Sequence, residues 1–205
     1  MMKVVPRWLS LLRLGLPGAL AALLALAGCS SKPLHWDLDH LPGMFPNLRF
    51  DFISADTGKP VTEADFRGKV VALYFGYTHC PDICPLTMSD LATALGKLGP
   101  LAKDVRIVFI SVDPARDTLP ILKAYTHAFS PEAIGLRGTM PEVDKVTARY
   151  HVAFSYGPKD KDGNYVVNHS SGVYIFDQKG RVELLGSEVD SPEKFAHDLR
   201  QLIQH

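Results

Sequence analysis

The chain has 205 residues, of which 46% are hydrophobic and 21% are charged. This size and composition are typical of one globular domain preceded by an export segment, with enough apolar residues for a packed core. Lysine and arginine together (22) equal aspartate and glutamate (22), so the formal net charge is zero. A protein that neutralises phosphates normally carries a basic excess, so the overall charge argues against nucleic acid as a partner.

The N-terminus has the features of an export signal. It begins with the basic residues Lys3, Arg7 and Arg13, and continues with an uncharged run of fourteen residues at 14–27. This run has the length of a signal-peptide apolar region and is shorter than the roughly 20 residues of a membrane-spanning helix. We therefore predict a signal peptide over residues 1–28.

The apolar run ends in the tetrapeptide LAGC at residues 26–29. It resembles the lipobox of bacterial lipoproteins, in which the cysteine is acylated and becomes the new N-terminus. The resemblance implies that Cys29 is lipidated and anchors an exported protein to a bacterial membrane, facing the periplasm. An uncleaved membrane anchor is the alternative, against which Pro17 and Gly18 within the run argue. Ser30 is not the aspartate of the usual inner-membrane retention signal, so the choice of membrane stays open.

The next segment, residues 29–47, contains three prolines and little periodicity. Such a sequence is typical of a tether that lifts a domain off a membrane. The folded domain is predicted over residues 48–205.

Strands and helices alternate along this domain. Residues 70–77 and 105–112 are apolar runs rich in β-branched side chains, the pattern of strands covered on both faces. The predicted elements in chain order are an opening hairpin (48–53 and 61–66), a strand (70–77), a helix (88–98), a strand (105–112), two helices (121–129 and 139–150), an exposed inserted loop or hairpin (152–167), a hairpin (173–176 and 182–185) and a helix (191–202). This series predicts an α/β thioredoxin-like fold, a central mixed sheet flanked by helices, with an N-terminal hairpin extension.

Two cysteines remain after the predicted lipidation, Cys80 and Cys84, within the segment THCPDICP. The segment follows a buried strand and precedes a helix, which is where open α/β folds place their sites. Pro85 suits the first helical position and puts Cys84 near the helix N-terminus, so we expect at least one thiol to ionise more readily than a free cysteine. The three intervening residues differ from the two-residue spacing of thioredoxin-type motifs, and they allow both sulfurs to face one centre.

The candidate third ligand is His169, shortly before the predicted strand at 173–176. In a thioredoxin-like fold, the loop before this strand lies beside the helix start that bears the cysteines. Two thiolates and an imidazole suit copper in either oxidation state, but zinc accepts the same donors, so the ligand types alone leave the metal open. His79 adjoins Cys80, but neighbouring side chains of an extended segment point apart, so we expect it to be exposed or to modulate the pKa of the site rather than to bind the metal.

Three segments, FGYTHCPDICP, SVDPARDT and YVVNHSSGVYIFD, resemble the Sco/SenC family of copper-binding proteins in sequence and order. The resemblance covers residues 48–205. It implies a copper metallochaperone that assists assembly of the dinuclear copper (CuA) site of cytochrome c oxidase, with the copper-site subunit as partner. It further implies that Cys80, Cys84 and His169 are the copper ligands. Asp113 is expected to orient the site or contact a partner, although a role as a turn or helix-cap acid explains it equally well.

Three functions remain open for this cysteine pair. The first is the metallochaperone, which would load copper only when the cysteines are reduced. The second is a periplasmic thiol–disulfide oxidoreductase or redox sensor, with Cys80 and Cys84 as the redox-active pair. Thioredoxin-type enzymes usually have a proline in the loop facing the cysteines, and residues 168–170 contain none, which favours metal binding. The third is a structural disulfide in an anchored interaction module. The upstream copper donor and the thiol reductant stay unidentified.

Overall fold

A computed structural model describes residues 34–205, and this part of the chain contains ten strands and four α-helices. The strands are β1 (Asp39–His40), β2 (Asp51–Ser54), β3 (Pro60–Thr62), β4 (Val70–Gly76), β5 (Val105–Ser111), β6 (Ala133–Arg137), β7 (Phe154–Tyr156), β8 (Val167–His169), β9 (Val173–Phe176) and β10 (Val182–Gly186). The helices are α1 (Ile83–Leu98), α2 (Leu119–His127), α3 (Met140–Arg149) and α4 (Pro192–Gln204). The predicted signal peptide and Cys29 lie outside the described residues.

Eight strands form one mixed sheet in the order β1-β10-β9-β4-β5-β6-β2-β3. Its centre is parallel across β4, β5 and β6, and β9 joins β4 in the antiparallel direction. Every residue of β4 is buried, as its run of β-branched and aromatic residues requires. Helix α1 packs against α4, and α2 packs against β6. The predicted α/β fold, a central mixed sheet flanked by helices, is confirmed.

Both predicted additions to the thioredoxin-like fold are present, one within this sheet and one as a separate two-stranded sheet. The opening hairpin is β2 and β3, which extends the sheet beyond β6. Its turn includes Gly58 at φ +68°, a conformation that favours glycine. The insertion is a second hairpin, in which β7 pairs antiparallel with β8 and Phe154 lies opposite His169. His169 therefore ends a strand of the insertion rather than lying in a loop.

The predicted tether needs a correction, because residues 35–47 belong to the folded domain. Strand β1 pairs antiparallel with β10, and Leu38 is buried. The fully buried carboxylate of Asp198 accepts hydrogen bonds from the backbone N–H groups of Asp37 (3.0 Å) and Leu38 (2.8 Å). Nδ1 of His197 also lies 3.0 Å from the Asp37 carboxylate. A buried acceptor for two amides and a strand partner hold this segment, so the domain begins near residue 35.

The helices that the structure describes include none with both the length and the apolar character needed to cross a membrane.

Candidate metal centre

The end of β4, the start of α1 and the inserted hairpin meet at one place. Cys80 lies in the loop after β4, Cys84 in the first turn of α1, and His169 at the end of β8. Their ligand atoms, two sulfurs and one imidazole nitrogen, all lie within 4.8 Å of one another. Cys84 is fully buried, whereas Cys80 is partly exposed. The structure thus brings together the three residues that the sequence analysis identified as ligands.

The sulfur of Cys84 lies directly over the backbone of Gly76. A Cβ atom at Gly76 would approach this sulfur to 3.0 Å and Cε2 of Phe109 to 2.8 Å, so only glycine leaves room for both. Burial raises the pKa of Cys84 to about 12. The expectation of easy ionisation therefore fails for Cys84, because loss of hydration outweighs the effect of the helix N-terminus. The backbone N–H of Cys84 instead donates to the sulfur of Cys80, at 3.4 Å.

His169 presents a neutral nitrogen to Cys84. Its Nδ1 lies 2.9 Å from the carbonyl oxygen of Ser170, which only accepts hydrogen bonds, so Nδ1 carries the proton and Nε2 keeps its lone pair. Nε2 lies 3.2 Å from the Cys84 sulfur. Burial lowers the pKa of His169, which favours the neutral ring. The Cys84 S–H accordingly donates to Nε2, and a metal bound to both atoms would displace that proton.

Two tyrosines fix the orientation of the imidazole. The rings of Tyr74 and Tyr77 contact His169 edge to face, with centroids 6.1 Å and 6.0 Å away. Both tyrosines are buried, so they limit rotation of the imidazole. The sequence analysis assigned neither to the site. Their positions in the strand and loop that lead to Cys80 could have indicated that they lie near the site.

Asp117 is a further residue of the site that the sequence analysis did not single out. Its fully buried carboxylate accepts hydrogen bonds from the backbone N–H (3.1 Å) and the hydroxyl (2.6 Å) of Thr78, and from the hydroxyl of Ser111 (2.6 Å). These bonds fix the loop that carries Cys80. Nδ1 of His79 lies 3.1 Å from the Thr78 hydroxyl, and the half-exposed His79 side chain is outside the three-residue cluster, as expected.

Asp113 lies beside the site without joining the ligand cluster. Its buried carboxylate pairs with Nε of Arg116 and accepts a hydrogen bond from the hydroxyl of Tyr165, at 2.8 Å. The guanidinium of Arg116 stacks on the Tyr165 ring at 3.6 Å and lies 5.6 Å from the centroid of Tyr77. Asp113 therefore holds the inserted hairpin, and Arg116 and Tyr77 also connect it to His169.

The comparisons with known proteins agree on one family. The family model SCO1/SenC matches residues 46–204. The mitochondrial Protein SCO2 homolog of Mus musculus is 38% identical over 148 residues, which are 71% of this chain and 58% of the relative. The chain thus spans little more than half the length of this curated relative.

Solved structures share the same fold. The structure of Bradyrhizobium japonicum ScoI with copper bound has a TM-score of 0.69 and 37% identity, covering 76% of this chain and 98% of that chain. BsSco, a member of the Sco family of cytochrome c oxidase assembly proteins in which a disulfide switch was identified, has a TM-score of 0.61 and 26% identity, covering 82% and 97%. With the fold, the site and the matched segment in agreement, the chain belongs to the SCO1/SenC family.

Proposed function

We propose that this protein is a copper metallochaperone that binds one copper ion through the sulfurs of Cys80 and Cys84 and through Nε2 of His169. The observation that carries the proposal is the convergence of these three donor atoms within 4.8 Å. Two soft sulfur donors with a neutral imidazole suit copper, whereas no carboxylate of the kind that hard cations require belongs to this cluster within residues 34–205. The copper-bound relative from Bradyrhizobium japonicum supports copper over zinc.

The exposure of the two sulfurs suggests how the metal leaves. Cys80 is partly exposed and Cys84 is fully buried, so an incoming thiolate of a partner would reach the copper from the side of Cys80. Ligand exchange between thiolates then transfers copper without releasing it into solution. BsSco belongs to the Sco family of cytochrome c oxidase assembly proteins, which supports an oxidase as the recipient. The partner we propose is the oxidase subunit that holds the dinuclear copper (CuA) site.

The proposal is tested in a strain whose growth depends on its copper oxidase. Cys80→Ser and His169→Ala should both abolish oxidase activity, because each removes a copper ligand. His79→Ala is the matched control, since this histidine adjoins Cys80 but bonds to Thr78 outside the cluster, and it should keep oxidase activity. Full oxidase activity with His169→Ala would contradict the metallochaperone function.

A thiol–disulfide oxidoreductase or redox sensor is the second candidate. The observation that favours it is the pairing of a partly exposed thiol, Cys80, with a buried thiol, Cys84, whose ligand atoms are adjacent. Such a pair provides an accessible nucleophile and a resolving thiol. This function needs both cysteines and no histidine, so the same strain separates the candidates: His169→Ala would retain activity and Cys80→Ser would lose it.

The proposed setting is the periplasmic face of a bacterial membrane, with Cys29 as the lipid-bearing residue. The LAGC tetrapeptide after an apolar run supports this proposal. The curated relative from Mus musculus is mitochondrial, so copper delivery beside a membrane fits both settings. Labelling with a radioactive fatty acid should mark the wild-type protein and leave Cys29→Ser unlabelled. Equal labelling of both proteins would contradict lipidation at Cys29.

A further inference from the structure

Tyr74 carries a buried hydroxyl group that makes no hydrogen bond of normal geometry in the metal-free site. The residue lies in the middle of the central strand β4, in register with Phe109 of β5 and Val173 of β9, and its side chain is fully buried. Its hydroxyl makes no hydrogen bond of normal length and angle within the described part of the chain, 34–205, and it lies near the hydroxyl of Thr87 and the sulfur of Cys84. A buried polar group left without a partner costs about 1–3 kcal/mol, so its retention requires an explanation.

The tyrosine lies on the face of β4 that supports the metal centre. Side chains two residues apart in a strand share a face, so Tyr74 and Gly76 point to the same side. The sulfur of Cys84 is above Gly76, at 3.0 Å from where a Cβ would be, and the Tyr74 ring contacts the ring of His169. The Tyr74 ring therefore lies on the same face of β4 as Cys84 and His169.

We propose that Tyr74 is a positioning residue whose hydroxyl donates a hydrogen bond to the Cys84 sulfur when that sulfur is a copper-bound thiolate. This inference rests on the proposed copper function and assigns a role to a residue outside the ligand set.

The chemistry of the sulfur explains why a strong hydrogen bond forms only in the copper-bound state. In the metal-free protein the Cys84 S–H donates to Nε2 of His169, 3.2 Å away, and a thiol sulfur is a weak acceptor. Copper binding sends this proton to the solvent and leaves a thiolate, and hydrogen bonds to charged acceptors are about twice as strong as neutral ones. The Tyr74 hydroxyl then has a charged acceptor, and no electron is transferred in this step.

Tyr74→Phe removes the hydroxyl and keeps the ring, so it should affect the two states in opposite directions. The metal-free variant should unfold at the wild-type temperature or above it, because a buried group without a partner is gone. Copper(I) should bind about tenfold more weakly, equivalent to about 1.4 kcal/mol. The thiolate-to-copper(II) absorption should move to longer wavelength, because the sulfur has lost a hydrogen-bond donor.

Tyr125→Phe is the matched control. Its hydroxyl is likewise buried without a partner in residues 34–205, and its ring contacts Phe109 as the ring of Tyr74 does. Copper(I) affinity is measured by competition with a chromophoric chelator, and unfolding by circular dichroism. Weaker copper binding for Tyr74→Phe alone, with no loss of metal-free stability, supports the inference.

Two results would overturn the inference while leaving the proposed function intact. One is wild-type copper affinity and absorption in Tyr74→Phe, and the other is an equal loss of affinity in Tyr125→Phe. Failure of the wild-type protein to bind copper would instead overturn the proposed function, and the inference with it.

Discussion

Gly76→Ala is the smallest change that tests how the buried sulfur is seated. The added Cβ would lie 2.8 Å from Cε2 of Phe109 and 3.0 Å from the sulfur of Cys84, both fully buried. Atoms in contact normally lie about 3.5–4.0 Å apart, so the ring must move by about 0.7 Å or more and the sulfur by about 0.5 Å or more. Overpacking of this kind costs about 1–3 kcal/mol. For a domain of this size we expect the Tm to fall by about 2–12 °C.

The same change should weaken copper binding, because it displaces the Cys84 sulfur from the other two donors. Thermal unfolding of the metal-free protein and copper(I) titration measure the two effects. Gly96→Ala is the control. This glycine lies within α1, and a Cβ atom added to it would meet no described atom within 4 Å. It should stabilise the protein by about 0.5–1 kcal/mol. A Gly76→Ala variant with wild-type Tm and copper affinity would refute the proposed seating of the sulfur.

Three further predictions concern the surroundings of the site. Asp117→Ala leaves the hydroxyls of Thr78 and Ser111 without their acceptor, so the free energy of unfolding should fall by about 2–3 kcal/mol in denaturant titration, with weaker copper binding. Asp198→Ala should release the docked segment before residue 41, seen as faster amide hydrogen exchange there, while copper affinity stays unchanged. Because burial lowers the pKa of His169 below its ordinary value of 6.5, the stability that depends on its neutral ring is complete above pH 6.5 and declines as the pH falls. His169→Gln should remove this part of the acid dependence in denaturant titrations of the metal-free protein, and an unchanged slope below pH 6.5 would count against it.

The regular elements could be predicted because their sequence patterns are local. Strand β4 is a continuous apolar run, and α1 shows apolar residues at helical spacing, so each pattern identifies its element without distant contacts. The docking of residues 35–47 could not be predicted in this way. It depends on Asp198, about 160 residues further along the chain, and the prolines of the segment hide the short β1.

Some features of the site could likewise be predicted from neighbouring residues, whereas others depend on residues distant in sequence. The spacing of Cys80 and Cys84 predicted a shared centre, and the position of His169 before the predicted strand at 173–176 identified it as the third ligand, as the resemblance to a family also implied. Asp117 was missed because its role depends on Thr78, 39 positions away in sequence. The prediction that at least one thiol ionises readily used helix position, which can be predicted from sequence, whereas the depth of burial that raises the pKa of Cys84 to about 12 cannot.

Copper titration of the reduced protein tests the central claim most directly. The wild-type protein should bind one copper and show a thiolate-to-copper(II) absorption, and His169→Ala should lose most of this absorption and affinity. His79→Ala should behave like the wild type, because its ring nitrogen bonds to the Thr78 hydroxyl and is outside the ligand cluster. An unchanged spectrum and affinity in His169→Ala would remove this histidine from the site and contradict the account.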